Sequence, residues 1–418
     1  MKIKKFGHVA LASVLGLGVI LSISSLAQDN PAKVTVIFEA NWRTAFEPLI
    51  TEFNGSHKDV QIEVVWGGDQ AKLIAAQRAP DIIDTGDLYI ETQKDLLTDL
   101  TPLMTKVSAD LSASDFYPTM LTALKLRGKQ MALPFRFNVG LLYFNKDLFD
   151  ASGVKYPSKI WTQTQFINAA EKLTKSDGAR PSQWGASTTL GWWGEWLIHV
   201  RQSGGEIMKG NTVTLDTPSA IAGLQFFFDK TTSGKYKFAP GPKDDALGGF
   251  VGGKTAMEYG GHTGTWPGLN AAKSLNWDIQ VIPGGSKQKR GAELALSAYG
   301  LYSGSKNPAA AWEVLKFITG KKFISTSFAR LGLPPTRKSV ANEALAVPLE
   351  KRSSPKNLEA LFDGLKTGIT LPRNKDFVNM AIQVVQPEID KMLEGKQTPA
   401  ETAKIATEKA NKYLAGIK

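Results

Sequence analysis

The amino-acid sequence predicts an α/β protein built from two intertwined domains, and three observations carry that expectation. Short apolar runs alternate with amphipathic helical stretches through the first part of the chain. Helix-capping signals then recur as far as the C-terminal end. No low-complexity linker and no internal repeat separates one half from the other. Strand–helix alternation favours a mostly parallel sheet with helices on both faces. A chain of 418 residues is long enough for two to three domains. Without a linker, those domains cannot be strung out in series.

The elements follow in order. Val34 to Phe38 is a β-branched strand. Thr44-Ala45-Phe46-Glu47 has the form of a capping box, and Phe46, Leu49, Ile50 and Phe53 follow at helical spacing. Val60 to Val64 alternates as a second strand, Ala71 to Arg78 reads as a short helix, and Asp81-Ile82-Ile83 as a short buried strand. Thr162-x-x-Gln165 opens another helix. Thr217-Pro218, Asn307-Pro308 and Thr398-Pro399 each put a capping residue before proline at the first helical position, and Glu401 completes a second capping box. The Asn307 helix turns Trp312, Leu315 and Ile318 inward and stops at Gly320.

The first 27 residues read as an export leader. Lys2, Lys4 and Lys5 precede an apolar stretch from Val9 to Ile23, and Ser25-Leu26-Ala27 is a small-x-small cleavage site, so the mature chain is expected to begin near Gln28. The stretch is short for a membrane span, which needs roughly 20 apolar residues. The sequence has no cysteine, which excludes disulfides, thiol catalysis, thiolate metal sites and a lipid-acceptor thiol. A protein free in a periplasmic space, not lipid-anchored, is the expectation. The formal charge of +11 is spread along the chain. The densest basic run, Lys287 to Arg290, lies in a glycine-rich loop, so a solvated surface is favoured over a nucleic-acid stripe.

One segment satisfies a catalytic pattern literally. Gly248-Gly249-Phe250-Val251-Gly252-Gly253-Lys254-Thr255 matches the phosphate-loop form G-x-x-x-x-G-K-[ST]. A working loop needs a strand before it and a helix after it. Here a polar stretch precedes it and Thr255 to Tyr259 reads as a strand, so the order is inverted and the match is read as chance. Neither a G-x-S-x-G elbow nor an H-E-x-x-H motif occurs, and His57, His199 and His262 are scattered. Asp81, Asp84 and Asp87 could suggest a metal or a carboxylate pair. The plainer reading ends a strand at Asp81 and has Asp84 and Asp87 bracket Gly86 in a turn that caps the next helix, at the sheet edge where ligands sit. Trp192, Trp193 and Trp196 form a dense aromatic run after Gly191, joined elsewhere by Trp42, Tyr89, Trp266 and Tyr299. Adjacent indoles point to different faces, so at least one is expected to line a cleft, where aromatic faces suit the C–H face of a sugar.

Several segments together resemble the extracellular solute-binding proteins of the maltose-binding class, which serve ABC importers. They are Ala40 to Glu52, Ala79 to Ile83, Leu133 to Asn138 running into Leu142 to Phe149, Ser158 to Thr162, Gly253 to Met257, Val281 to Gly284 and Ser303 to Trp312. The resemblance implies a two-lobe periplasmic-binding-protein fold with a ligand cleft between the lobes. It places the leader at 1–27, the first lobe at 28–139 and 284–333, and the second at 140–283 and 334–418. Crossings are implied near Asn138–Leu142, Ile279–Gly284 and Gly332–Thr336. Trp42, Asp84, Asp87, Arg136, Asn138, Trp192, Trp193, Gly261, Trp266 and Tyr299 fall where the family contacts ligand. The implied protein is a monomer without cofactor or metal. It binds a sugar, closes about a hinge and delivers the ligand to a membrane permease, with no nucleic acid and no membrane insertion. Arg136-Phe137-Asn138 and Ser297-Ala298-Tyr299-Gly300 depart from common sugar-binding members. Arg136 and the basic charge keep an anionic or polyol-phosphate ligand open. A secreted carbohydrate-active enzyme would need two carboxylates about 5–10 Å apart across the bond cleaved, and no pair singles itself out.

Overall fold

The computed structural model describes residues 30–106, 111–178, 180–285 and 289–416, so the expected leader and its cleavage site lie outside the described residues. Two sheets organise the chain. The first joins β1 (Ala32–Phe38), β2 (Val60–Trp66), β3 (Ile82–Gly86), β4 (Leu133–Val139) and β8 (Leu294–Leu301) in the order β2-β1-β3-β8-β4. Its first three strands run parallel, and β8 runs antiparallel to both β3 and β4. The second sheet has β5 (Leu141–Asn145) at its centre, between β6 (Met257–Gly261) and β7 (Trp277–Val281), both antiparallel to it. The α/β, two-lobe expectation holds.

Alternation along the strands puts two cores on the first sheet. Ile82, Leu133, Phe135 and Tyr299 join one cluster with Phe46 of helix α1 (Arg43–Ser56), while Ile83, Phe137 and Ala298 join another. Helix α2 (Gln163–Leu173) begins with a full capping box from Thr162 and Gln165. Helices α3 (Trp196–Gln202) and α4 (Pro218–Asp229) pack with the C-terminal helix α7 (Pro399–Gly416) in a third, mainly helical core. Helix α5 (Pro308–Ile318) buries Trp312, Leu315 and Ile318 as the spacing predicts, and α6 (Lys321–Leu331) follows after Gly320. Among the described residues no helix is long and apolar enough to cross a membrane, and no His, Cys, Asp and Glu group could hold a metal ion.

Several local expectations change. Thr44 does not cap α1, because the 3-10 turn Ala40–Trp42 runs straight into the helix and places Thr44 inside its first turn. Glu47 instead pairs with Arg43 at 2.8 Å. The short helix expected at Ala71 to Arg78 spans Gln70–Ala75 and is capped by Asp69. Asn307 makes no side-chain cap, whereas Thr217 and Thr398 do. Asp81 directly precedes β3 rather than ending a strand, and Asp87 bonds across the sheet rather than to a helix: its Oδ1 accepts the Leu296 N–H at 2.8 Å.

The chain passes between the sheets at Gly140, which separates β4 from β5 and donates its N–H to the Glu293 carbonyl. A Cβ there would meet Ile198 at 3.3 Å, so the passage suits glycine. After β7 the chain makes further contacts before it joins the first sheet. Gly284 pairs with Thr162, Gly291 packs on α3, and pairing with the first sheet begins at Leu294. Pro335 pairs with Arg136 and Ser339 bonds Asp115, and Asn357 is the residue that bonds Asp278 and Ile279 of β7.

Candidate functional site

The first sheet turns a row of polar side chains toward the other lobe. Arg136 on β4 stands opposite Ser297 of β8, and Asp84 on β3 opposite Tyr299. Gln70 holds the Asp84 backbone twice, accepting its N–H at 2.7 Å and donating to its carbonyl at 2.8 Å. Arg136 Nε donates to Ser297 Oγ at 3.2 Å, and its Nη2 lies 3.4 Å from Glu39 Oε1. The guanidinium carbon sits 5.0 Å from the centre of the Trp42 ring, a cation–π contact. Trp42 is anchored in the core by Phe38, Phe46 and Phe135, which fixes the plane on which Arg136 rests. Asp84 is reached by water although protein surrounds most of it. That enclosure raises its carboxyl to about 6, with Arg136 pulling down and Glu39 pushing up.

The second lobe faces this row with β6 and the loop before α3. Strand β6 ends at Gly260-Gly261, then His262 leads into the 3-10 turn Thr263–Thr265. Thr263 Oγ1 donates to Asn138 Oδ1 at 2.5 Å, a direct bond between the lobes. Trp192 is half-buried, edge-on to His262 with ring centres 5.0 Å apart. Only glycine fits beneath it at 194, where a Cβ would meet the indole at 2.4 Å. Burial lowers His262 to about 4, so the ring is neutral at ordinary pH, and its buried Nε2 has no hydrogen-bond partner. The same holds for Ser187 Oγ and Thr188 Oγ1 on the loop that carries Trp192. A cavity of about 790 Å³ lies beside these groups, lined by Glu39, Trp42 and Arg136 on one side, by Gly264, Trp266 and Asn270 on the other, and by residues of the segments 328–333 and 344–358; Asp84, Trp192 and His262 are not part of its lining.

A larger cavity of about 920 Å³ lies elsewhere, between Glu91 and residues such as Asn211, Arg373 and Asn374. No aromatic ring lines it, and several of its polar groups are already engaged. Arg373 donates to the carbonyls of Thr122, Ala123 and Lys125, and Asn374 to Asn211. The aromatic, charged cleft at Arg136 is therefore the candidate site.

The remaining expected residues have other surroundings. Trp193 is 7% exposed in the helical core, with its Nε1 donating to Glu293 Oε2 at 2.8 Å. Trp266 is buried and donates to Tyr143 Oη at 2.8 Å, with only an edge on the cavity. Tyr299 is packed edge-on by Phe38 and Phe135. Gly261 is needed for space, since a Cβ would meet Glu258 Oε1 at 2.9 Å and the Tyr143 ring at 3.0 Å. Glu39, His262 and Thr263 escaped the sequence reading. Glu39 and His262 directly follow the ends of β1 and β6, and the strand-end rule for α/β sheets would have marked Glu39. The glycine-rich stretch before Lys254 is a run of turns that leads into β6, with no strand before it and no helix after it.

Two buried carboxyls stand at the passage between the lobes. Burial lifts Asp87 to about 6, with Glu293 adding to the rise, and lifts Glu293 to about 7 against the pull of Trp193 and Arg201. Both lie near 4 in an unfolded chain. Between about pH 4 and 7 the folded state thus keeps protons that the unfolded state releases, and stability falls as pH rises through that window. Asp84, and Glu258 raised to about 7 by burial, act with the same sign. Glu293→Gln, which keeps an acceptor for Trp193, should flatten this slope. Melting temperatures from pH 4.5 to 8 test it, and equal slopes in both proteins would count against the buried pair.

The profile described as bacterial extracellular solute-binding protein matches residues 39–323. A Brucella abortus chain named only as a binding protein is 26% identical over 342 residues, covering 77% of this chain and 80% of that one. The sn-glycerol-3-phosphate-binding periplasmic protein of the same organism is 25% identical over 306 residues, covering 66% of this chain and 67% of that one. Among solved structures, an ABC substrate-binding protein of Listeria monocytogenes in complex with cycloalternan superposes with a TM-score of 0.78 at 24% identity, covering 92% of this chain and 99% of that one.

Proposed function

The chain belongs to the bacterial extracellular solute-binding proteins, and we propose that it captures a neutral sugar, a mono- or oligosaccharide, in the Arg136 cleft and delivers it to the membrane permease of an ABC importer. It is a transport binding protein and not an enzyme. Export to the periplasm without a lipid anchor, action as a monomer and closure about a hinge are part of this proposal. The observation that carries the ligand class is the charge around Arg136. Glu39 lies 3.4 Å from the guanidinium and Asp84 feels its charge, so donors and acceptors stand together at Arg136, while Arg330 and Arg352 also line the cavity, Arg352 paired with Glu359. Hydroxyl groups use both kinds of partner, whereas a phosphate would meet two carboxylates. His262 is neutral and adds no cation. The unpartnered Ser187, Thr188 and His262 atoms are further groups that ligand hydroxyls would satisfy. The relative that binds cycloalternan supports this reading, and the relatives named for sn-glycerol 3-phosphate support a phosphorylated polyol.

A titration panel decides between them. Purified mature protein is titrated by calorimetry with neutral mono-, di- and oligosaccharides, mannitol and sn-glycerol 3-phosphate at low and high salt. The expected result is tight binding of a neutral saccharide with little salt dependence. Tight, salt-weakened binding of sn-glycerol 3-phosphate, with no saccharide bound, would replace the sugar reading with the phosphate one.

A further inference from the structure

A pair of charges lies wholly out of water beneath the Trp192 loop. Lys230, just after α4, and Glu195, just before α3, are both 0% exposed, with Nζ 2.5 Å from Oε1. The loop from Ser187 to Gly194 has no regular hydrogen-bond ladder, so its inward backbone groups need other partners. The pair supplies two. Lys230 Nζ donates to the Ser187 carbonyl, and Glu195 Oε2 accepts the Thr189 N–H at 2.8 Å. The network continues inward. Glu195 Oε1 lies 3.4 Å from His199 Nε2, and His199 Nδ1 lies 3.1 Å from Gln202 Oε1. Gln202 Nε2 donates to Tyr259 Oη at 2.7 Å and to the Pro283 carbonyl at 2.6 Å, on the chain that leads toward β8.

A pair of this kind is weak evidence of stabilisation in itself, because apolar residues of similar volume often do as well. The geometry points to another role: Glu195 and Lys230 are positioning residues that fix the Trp192 loop, and with it the indole face and the Ser187 and Thr188 hydroxyls, at the ligand cleft. Through His199 and Gln202 they tie that loop to the segment entering the passage between the lobes. The inference rests on the reading that the Trp192 loop meets the ligand.

The test uses ligand-free mature protein labelled with 5-fluorotryptophan, with the Trp192 resonance assigned from Trp192→Phe. Lys230→Met strands the Glu195 carboxylate, so Glu195→Gln combined with Lys230→Met is the second variant, in which no charge is stranded. Leu315→Ala, in the first-lobe core, is the control for general destabilisation. Both pair variants should shift and broaden the Trp192 resonance while that of Trp312 stays in place, and Leu315→Ala should leave Trp192 unmoved. An unmoved Trp192 signal in the double variant would overturn the inference, as would an equal change in Leu315→Ala. Because no ligand is present, this outcome is separate from the binding reading, which fails if Trp192→Ala leaves saccharide affinity unchanged.

Discussion

Arg136→Ala should weaken saccharide binding by roughly 30- to 150-fold, about 2–3 kcal/mol, the scale of a lost hydrogen bond to a charged group. The guanidinium is 22% exposed, lies over the Trp42 ring and is tied to Ser297, so its donors are aimed before any ligand arrives. Removing it does more than delete donors. Glu39 and Asp84 lose the guanidinium they share, and Asp84 loses the neighbour that lowers its carboxyl most. Its titration should then move above about 6, and the affinity of the variant should become more pH-dependent near neutrality than that of the parent. Arg136→Lys keeps the charge but loses the planar fork and the stacked plane, and it should recover only part of the affinity. Calorimetric titration of the three proteins across pH is the measurement. Unchanged affinity in Arg136→Ala would take Arg136 out of the site. Stability should change little, because the side chain lies on the cleft wall and not in a core.

How much of this was legible beforehand depended on whether the signal was local. The α/β order was, because strand and helix periods are written in neighbouring residues. The inverted phosphate loop was also legible, since a strand after Lys254 can be read directly. Caps were readable where the hydroxyl had a free N–H to accept, as at Thr162 and Thr398, and misread at Thr44, where a preceding 3-10 turn moved the helix start. The aromatic run shows the limit most clearly. Trp192, Trp193 and Trp196 are equivalent in sequence. Their separation into one half-buried ring and two core rings depends on Phe377, Glu293 and Gln386, all distant in the chain. The pairing of Arg136 with Glu39 was hidden for the same reason, since it joins the residue after β1 to the middle of β4.

Saccharide binding should compact the protein in solution scattering and raise its melting temperature, and Trp192→Ala should lose most of both effects while the free protein stays folded. The chain passes between the sheets at Gly140, at Gly291–Leu294 and between Ser339 and Asn357, and the proposed closure about these passages requires open and closed forms that lie within a few kcal/mol of each other. On the proposed reading, a ligand held at Arg136 and Asp84 reaches Trp192 and His262 from the same position only when the walls approach. It therefore binds the closed form better and shifts the population toward it. At about 1,000 times its Kd it should add about 4 kcal/mol of stability. The choice of variant matters. Trp193 has its ring against Phe377 and its N–H on Glu293, so Trp193→Ala would empty part of a core and cost about 3–5 kcal/mol of folding stability, which masks any binding effect. Trp192 is half-buried and can be truncated with less damage. A Trp192→Ala protein that still compacts fully on saturation would show that closure is driven from elsewhere in the cleft. Tight binding by the parent with no change in radius of gyration would show that capture needs no closure. A permease that selects the loaded protein by its closed shape would then have nothing to select.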